Sequence, residues 1–139
     1  MERLFWPGLL CLFFLLAPAM VVKAEEKSGL ENFTFSGQTF QVELRLPESA
    51  RSGETVHLLT TLTPDDFPPS VYKKITLTWV TRPQGPEPQV LTGVPEADIT
   101  FAVPGEYTVD VEVGLLSKGS CGAVAYRSLL VRRMSITVE

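Results

Sequence analysis

Between Val103 and Val113 the chain reads Val-Pro-Gly-Glu-Tyr-Thr-Val-Asp-Val-Glu-Val, and no other stretch constrains the fold as tightly. A Pro-Gly turn feeds a segment in which Tyr107, Val109, Val111 and Val113 share one face while Glu106, Thr108, Asp110 and Glu112 share the other. A period of two places one side on a core and the other in water, which is the pattern of an antiparallel sheet.

The same period recurs along the chain. Phe40, Val42, Leu44 and Leu46 alternate with Gln41, Glu43 and Arg45 and stop at Pro47. After a turn at Arg51-Ser52-Gly53-Glu54, Val56, Leu58 and Leu62 mark a second strand, closed by the turn formers of Thr63 to Pro69. Ile75, Leu77 and Trp79 give the inner face of a third strand. Arg82 to Pro88 holds three prolines, each lacking a backbone donor, and so reads as an exposed loop. A short piece near Val90 to Thr92 precedes a strand with Ala97, Ile99, Phe101 and Val103 inward. Gly114 to Gly122 reads as a hairpin loop, and Val124 to Val138 as the last strand. In that strand Leu129 and Val131 are out of phase with Met134, Ile136 and Val138, a shift that a bulge supplies. About seven short strands with frequent turns predict an all-β sandwich of two antiparallel sheets.

The N-terminus follows a different rule. Arg3 precedes an apolar run, and the small residues of Val22-Lys23-Ala24 fit a signal-peptidase site, so residues 1–24 read as a secretory leader with a helical core. Cleavage after Ala19 is the alternative. Left uncleaved, the stretch from Leu4 to Val22 is long enough to anchor an accessory subunit in a bilayer. Cys11 lies inside the apolar run, away from a lipoprotein cleavage site. Residues 25–32 are polar and read as a tether, leaving 33–139 as the domain. Removing Glu2, Arg3 and Lys23 from 12 basic and 16 acidic residues leaves 10 against 15, a net charge of −5. An acidic domain repels a phosphate backbone, which argues against nucleic acid. Only Cys121 would survive maturation, so no internal disulfide is expected and stability must come from the core.

Three motifs together resemble the immunoglobulin-like superfamily, and polycystic-kidney-disease (PKD) repeats in particular: Ser52-Gly53-Glu54-Thr55-Val56 entering a strand, Trp79 on the third strand, and Phe101 through Val109. The resemblance implies that Tyr107 is the corner tyrosine, with Val109 two residues on, where antibody domains carry their second core cysteine. After Trp79 the chain reads Val80-Thr81-Arg82-Pro83, where the PKD pattern has Asp-Phe-Gly-Asp-Gly. Domains of this kind serve as spacers, adhesion units and subunit contacts, so the fold does not choose among tasks.

Polar candidates are few. His57 is the sole histidine and parity turns it outward. No nucleophile elbow or triad spacing accompanies it, which points away from an enzyme. Zinc or copper asks for clustered His and Cys ligands, and His57 and Cys121 lie far apart in sequence, so no metal and no cofactor is expected. Asp65, Asp66 and Asp98 could supply oxygens to calcium, but turn capping accounts for the first two. Asp110 and Glu112 read as solvated outer charges. Asn32-Phe33-Thr34 is a glycosylation sequon in a eukaryotic secretory pathway.

The expectation is therefore an exported, non-enzymatic protein-interaction or structural module of the periplasm, cell envelope or extracellular space. Its contact surface would be Leu115, Leu116, Lys118 and Cys121 in the loop after the corner strand, with Arg82, Pro83 and Pro86 as a second patch. An unpaired Cys121 in an oxidising compartment would be open to a disulfide-linked partner. The alternative is a carbohydrate-binding module. Such a module needs exposed planar aromatics, and with Trp79 and Tyr107 inward by parity only Tyr72 and Tyr126 remain among the tyrosines.

Overall fold

The computed structural model describes residues 26–35 and 37–139. The leader, with the helix expected in it, lies outside these residues.

Nine strands follow one another: β1 (Glu26–Phe35), β2 (Gln38–Pro47), β3 (Ser49–Ala50), β4 (Thr55–Thr63), β5 (Val71–Thr81), β6 (Gln89–Thr92), β7 (Glu96–Thr100), β8 (Gly105–Lys118) and β9 (Val124–Val138). No helix occurs among the described residues. The strands form two sheets, one ordered β1-β2-β4-β7-β6 and the other β3-β9-β8-β5. All pairings are antiparallel except β3 with β9, which run parallel. That pair corrects the expectation of purely antiparallel sheets.

The alternation seen in the sequence explains the core. Val42, Leu44 and Leu46 of β2, Val56, Leu58 and Leu62 of β4, and Ala97 and Ile99 of β7 pack with Val109, Val111 and Val113 of β8 and Met134, Ile136 and Val138 of β9. Both sheets thus bury their apolar faces in one cluster, as a sandwich-like arrangement requires. Trp79 sits half-buried against it, edge-on to Phe101 and Tyr107 at 5.9 Å from each ring. Tyr107 is 1% exposed, and its hydroxyl donates to the Val103 carbonyl at 2.7 Å, so the one polar atom of that ring is satisfied inside the core.

Two strands exceed the expected seven. One is the two-residue β3. The other is β1, which occupies the segment read as a tether: from Glu26 onward it pairs with β2 in continuous register. Its polar composition suits an edge strand. Gly29 is buried, and the Arg132 guanidinium fills the space a Cβ there would need while its Nη1 stands 3.8 Å from Glu31. Arg127 Nη2 also donates to the Thr34 carbonyl at 3.3 Å. The ladder to β2, the stacking of Phe33 on Phe40 and these long-range contacts with β9 together hold β1.

The expected hairpin loop is also shorter. β8 continues through Gly114 to Lys118, leaving residues 119–123 as the turn. The bulge falls at Leu129, since Val113 pairs with Leu130 and Gly114 with Ser128. Val131 lies on the outer face at 60% exposure, out of phase with the inward Met134, Ile136 and Val138.

Candidate functional site

β8 lies between β5 and β9, and the outer face of these three strands is where exposed aromatic and aliphatic groups collect. Tyr72 of β5 stands across from Leu116 of β8, and Leu116 stands across from Tyr126 of β9. Parity puts all three on the outer side of the sheet. Strands about 4.8 Å apart set the two tyrosine positions roughly 10 Å from each other, with a leucine between them. Tyr72 is 50% exposed and Tyr126 45%. Val124, across from Lys118, extends the row toward the hairpin tip and is also exposed.

The ring of Tyr126 has a defined pose. Gly114 lies diagonally across from it, and a Cβ at 114 would strike the Tyr126 ring and hydroxyl, so the ring lies down over the glycine backbone. Aromatic cover of a strand glycine restores the contacts that a missing side chain forfeits. The hydroxyl end is held by Glu112 on the same face. Burial, first, and then the hydrogen bond and charge of Glu112 push the Tyr126 phenol up to about 12. Hydrogen bonds from Ser128 and Tyr126 hold the Glu112 carboxyl below its usual range. Lysines border both rings, with Lys74 Nζ 5.8 Å from the Tyr126 centroid and Lys118 Nζ 5.8 Å from that of Tyr72. The result is a flat platform, aromatic and aliphatic at its centre and cationic at its rim.

The residues expected at the surface divide. Lys118 and Cys121 are exposed and Leu116 is half-buried, but Leu115 is 2% exposed and is not contact surface. It follows Tyr107, Val109, Val111 and Val113 in facing inward, because β8 carries its alternation beyond the length assigned from sequence. Cys121 is a free, exposed thiol in the turn at the tip. The second patch lies at the other end of β8. The Pro83 ring packs where a Cβ on Gly105 would go, and Val103 does the same for Gly85, so this loop caps the beginning of β8 while Cys121 follows its end. Fourteen residues of strand separate them by roughly 40 Å, so they do not form one surface. Arg82 is turned back into its own loop, donating to the Gly85 carbonyl at 2.9 Å and to Glu87 at 3.2 Å. Pro83 is half-buried and Pro86 exposed.

The carboxylates weighed for calcium do not converge. Asp65 pairs with Lys73, whereas Asp98 pairs across the sheet with His57, Nδ1 to Oδ1 2.7 Å. Asp110 forms a two-pronged bond with Arg133 at 2.8 and 2.9 Å, which holds its carboxyl below the usual range. Asn32 is exposed on β1.

Sequence reasoning reached Tyr72 and Tyr126 only as leftovers after inward aromatics were set aside. Their convergence could not be read, because the pairing of β5 and β9 on either side of β8 depends on register. No family model, no curated protein and no solved structure matches the chain.

Proposed function

We propose that this chain is an exported, non-enzymatic immunoglobulin-like module that binds a protein partner through the outer face of its four-stranded sheet. The observation that carries the reading is the Tyr72–Leu116–Tyr126 row, with one ring pinned flat and lysines at its margin. Rigid tyrosines lose little conformational freedom on binding, and contact centres are enriched in aromatic residues.

The immunoglobulin-like assignment draws support from strand order. β2-β4-β7-β6 against β5-β8-β9 has the connectivity of an A-B-E-D sheet facing C-F-G, with β1 added outside the first strand. The Tyr107 hydroxyl bonded to a carbonyl four residues upstream reproduces the tyrosine corner. The PKD subtype has no such support. Export rests on the leader pattern of residues 1–24, with an uncleaved anchor as the variant form. Neither reading involves nucleic acid.

The test is crosslinking capture of partners from the exported fraction with the native protein and with Tyr72→Ser and Tyr126→Ser variants. Loss of the same captured protein in both variants, with unchanged circular dichroism, is expected. Undiminished capture by both sinks the reading. Reducing and non-reducing gels of the native adduct decide whether Cys121 contributes a disulfide to that partner.

A second reading is carbohydrate binding, favoured by the convergence of the two exposed tyrosines on one flat face. Retention on a glycan array that both tyrosine variants abolish would establish it in place of the protein partner.

A further inference from the structure

The opposite outer face, on the five-stranded sheet, holds a separate cluster. His57 on β4 stands directly across from Asp98 on β7, and Glu96 lies two residues along β7 on the same side. One donor atom from each, an imidazole nitrogen and two carboxylate oxygens, lies within 4.8 Å of the other two. We propose that these three side chains form a binding site for a borderline divalent transition-metal ion such as Zn²⁺.

The donor set selects that class of ion. Imidazole with carboxylates suits zinc, copper and nickel, whereas calcium and magnesium take all-oxygen shells. Zn–N and Zn–O bonds of about 2.1 Å place tetrahedral ligands about 3.4 Å apart, so separations of up to 4.8 Å need to close by little more than about an ångström, while the 2.7 Å His57–Asp98 contact opens by less than about one. Side-chain rotation covers that distance, and the backbone need not move. Val56 and Leu58 flank His57, and Ala97 and Ile99 flank Asp98, all between 0% and 5% exposed, so the core clamps both ligand-bearing strands from behind.

Charge favours the same outcome. With the imidazole neutral, the cluster carries two negative charges and no compensating cation within it. The Glu96 carboxylate has no hydrogen-bond or ion-pair partner among the described residues. The nearby Arg45 is engaged by Glu43 at 2.7 Å. Zn²⁺ would take the place of the proton between His57 Nδ1 and Asp98, the neutral imidazole carrying its one proton on Nε2 instead, and would keep three protein ligands and hold its remaining positions toward solvent. Such an open site has room for water or for a donor from another molecule.

Because His57 is the only histidine, the experiment has an unambiguous reporter. Zn²⁺ is titrated into the protein carrying Cys11→Ser and Cys121→Ser, which removes both competing thiols, while the imidazole resonances are followed by NMR. Saturable one-to-one binding that shifts the His57 signals is expected, weakened at least tenfold in Asp98→Asn and in Glu96→Gln, and absent from His57→Ala. Unmoved imidazole signals, or the native affinity in both carboxylate variants, would overturn the proposal. All three side chains lie on the outer face, and amide spectra of the variants report that the fold is kept.

Discussion

The β8–β9 hairpin divides into two halves that meet at the Leu129 bulge, and they do different work. In the half from Gly105 to Val113, inward residues enter the common core and outward ones form ion pairs such as Asp110–Arg133. In the half from Gly114 to Lys118, the first five residues of β9, Val124 to Ser128, are exposed, and the outward residues include tyrosine, leucine and valine. One half is held by what it buries. The other uses the rigidity so gained to present a surface. A strand pair that continues past its core can offer a defined face without a flexible loop, and the bulge is where the change occurs.

Substitutions in each half should cost the protein very different amounts of stability. Tyr107→Ala, in the first half, should cost about 3–5 kcal/mol in urea unfolding, the range for emptying a large aromatic site. Gly114→Val, at the boundary, forces the Tyr126 ring off its seat and should cost about 1–3 kcal/mol. In that variant the Tyr126 phenol should titrate back from about 12 toward its ordinary 10, as read by tyrosinate absorbance. Should Gly114→Val leave that titration unchanged, the ring is not held by the glycine and the two halves are less distinct than described. Tyr107→Phe removes only the bond to Val103 and should cost about 1 kcal/mol. Tyr126→Ala should cost less than about 1 kcal/mol while removing half of the aromatic row. A loss as large as that of Tyr107→Ala would make the far half a second core.

The smallest effects concern pH and also separate the halves. Asp110 and Glu112 have carboxyls held below the usual range. Whatever stability they contribute is complete above the ordinary carboxylate pKa and lost as pH falls through their lower folded values. Tyr126 has the opposite sign of shift. Its contribution is complete below pH 10.0 and lost as pH climbs from there toward about 12. Glu112→Gln should therefore shrink the alkaline step to the part that burial of the phenol alone sustains, while leaving the acid step of Asp110, seen as two separate features in melting temperature against pH.

Much of the core was legible in the amino-acid order because a strand's side-chain period is a local property. Phe40 to Leu46, Ile99 to Phe101 and Tyr107 to Val113 declare their inner faces, and the structure buries those faces. The platform was less legible. Tyr72 and Tyr126 are 54 positions apart, a separation read directly from their numbers, and only pairing through β8 makes them neighbours. His57, Glu96 and Asp98 were hidden in the same way, by the pairing of β4 with β7. Leu115 shows the converse error, since Gly114, Gly119 and Gly122 make the segment look like a loop until cross-strand hydrogen bonds extend the strand.

Amino-acid order alone settled the all-β class and the inward residues of most strands, because alternation is set by backbone geometry one residue at a time. The tertiary structure alone decided the recruitment of β1, the length of the β8–β9 hairpin and the company kept by Tyr72, Tyr126 and His57. Those follow from register between strands distant in sequence, which is chosen by the packing energy of the whole core.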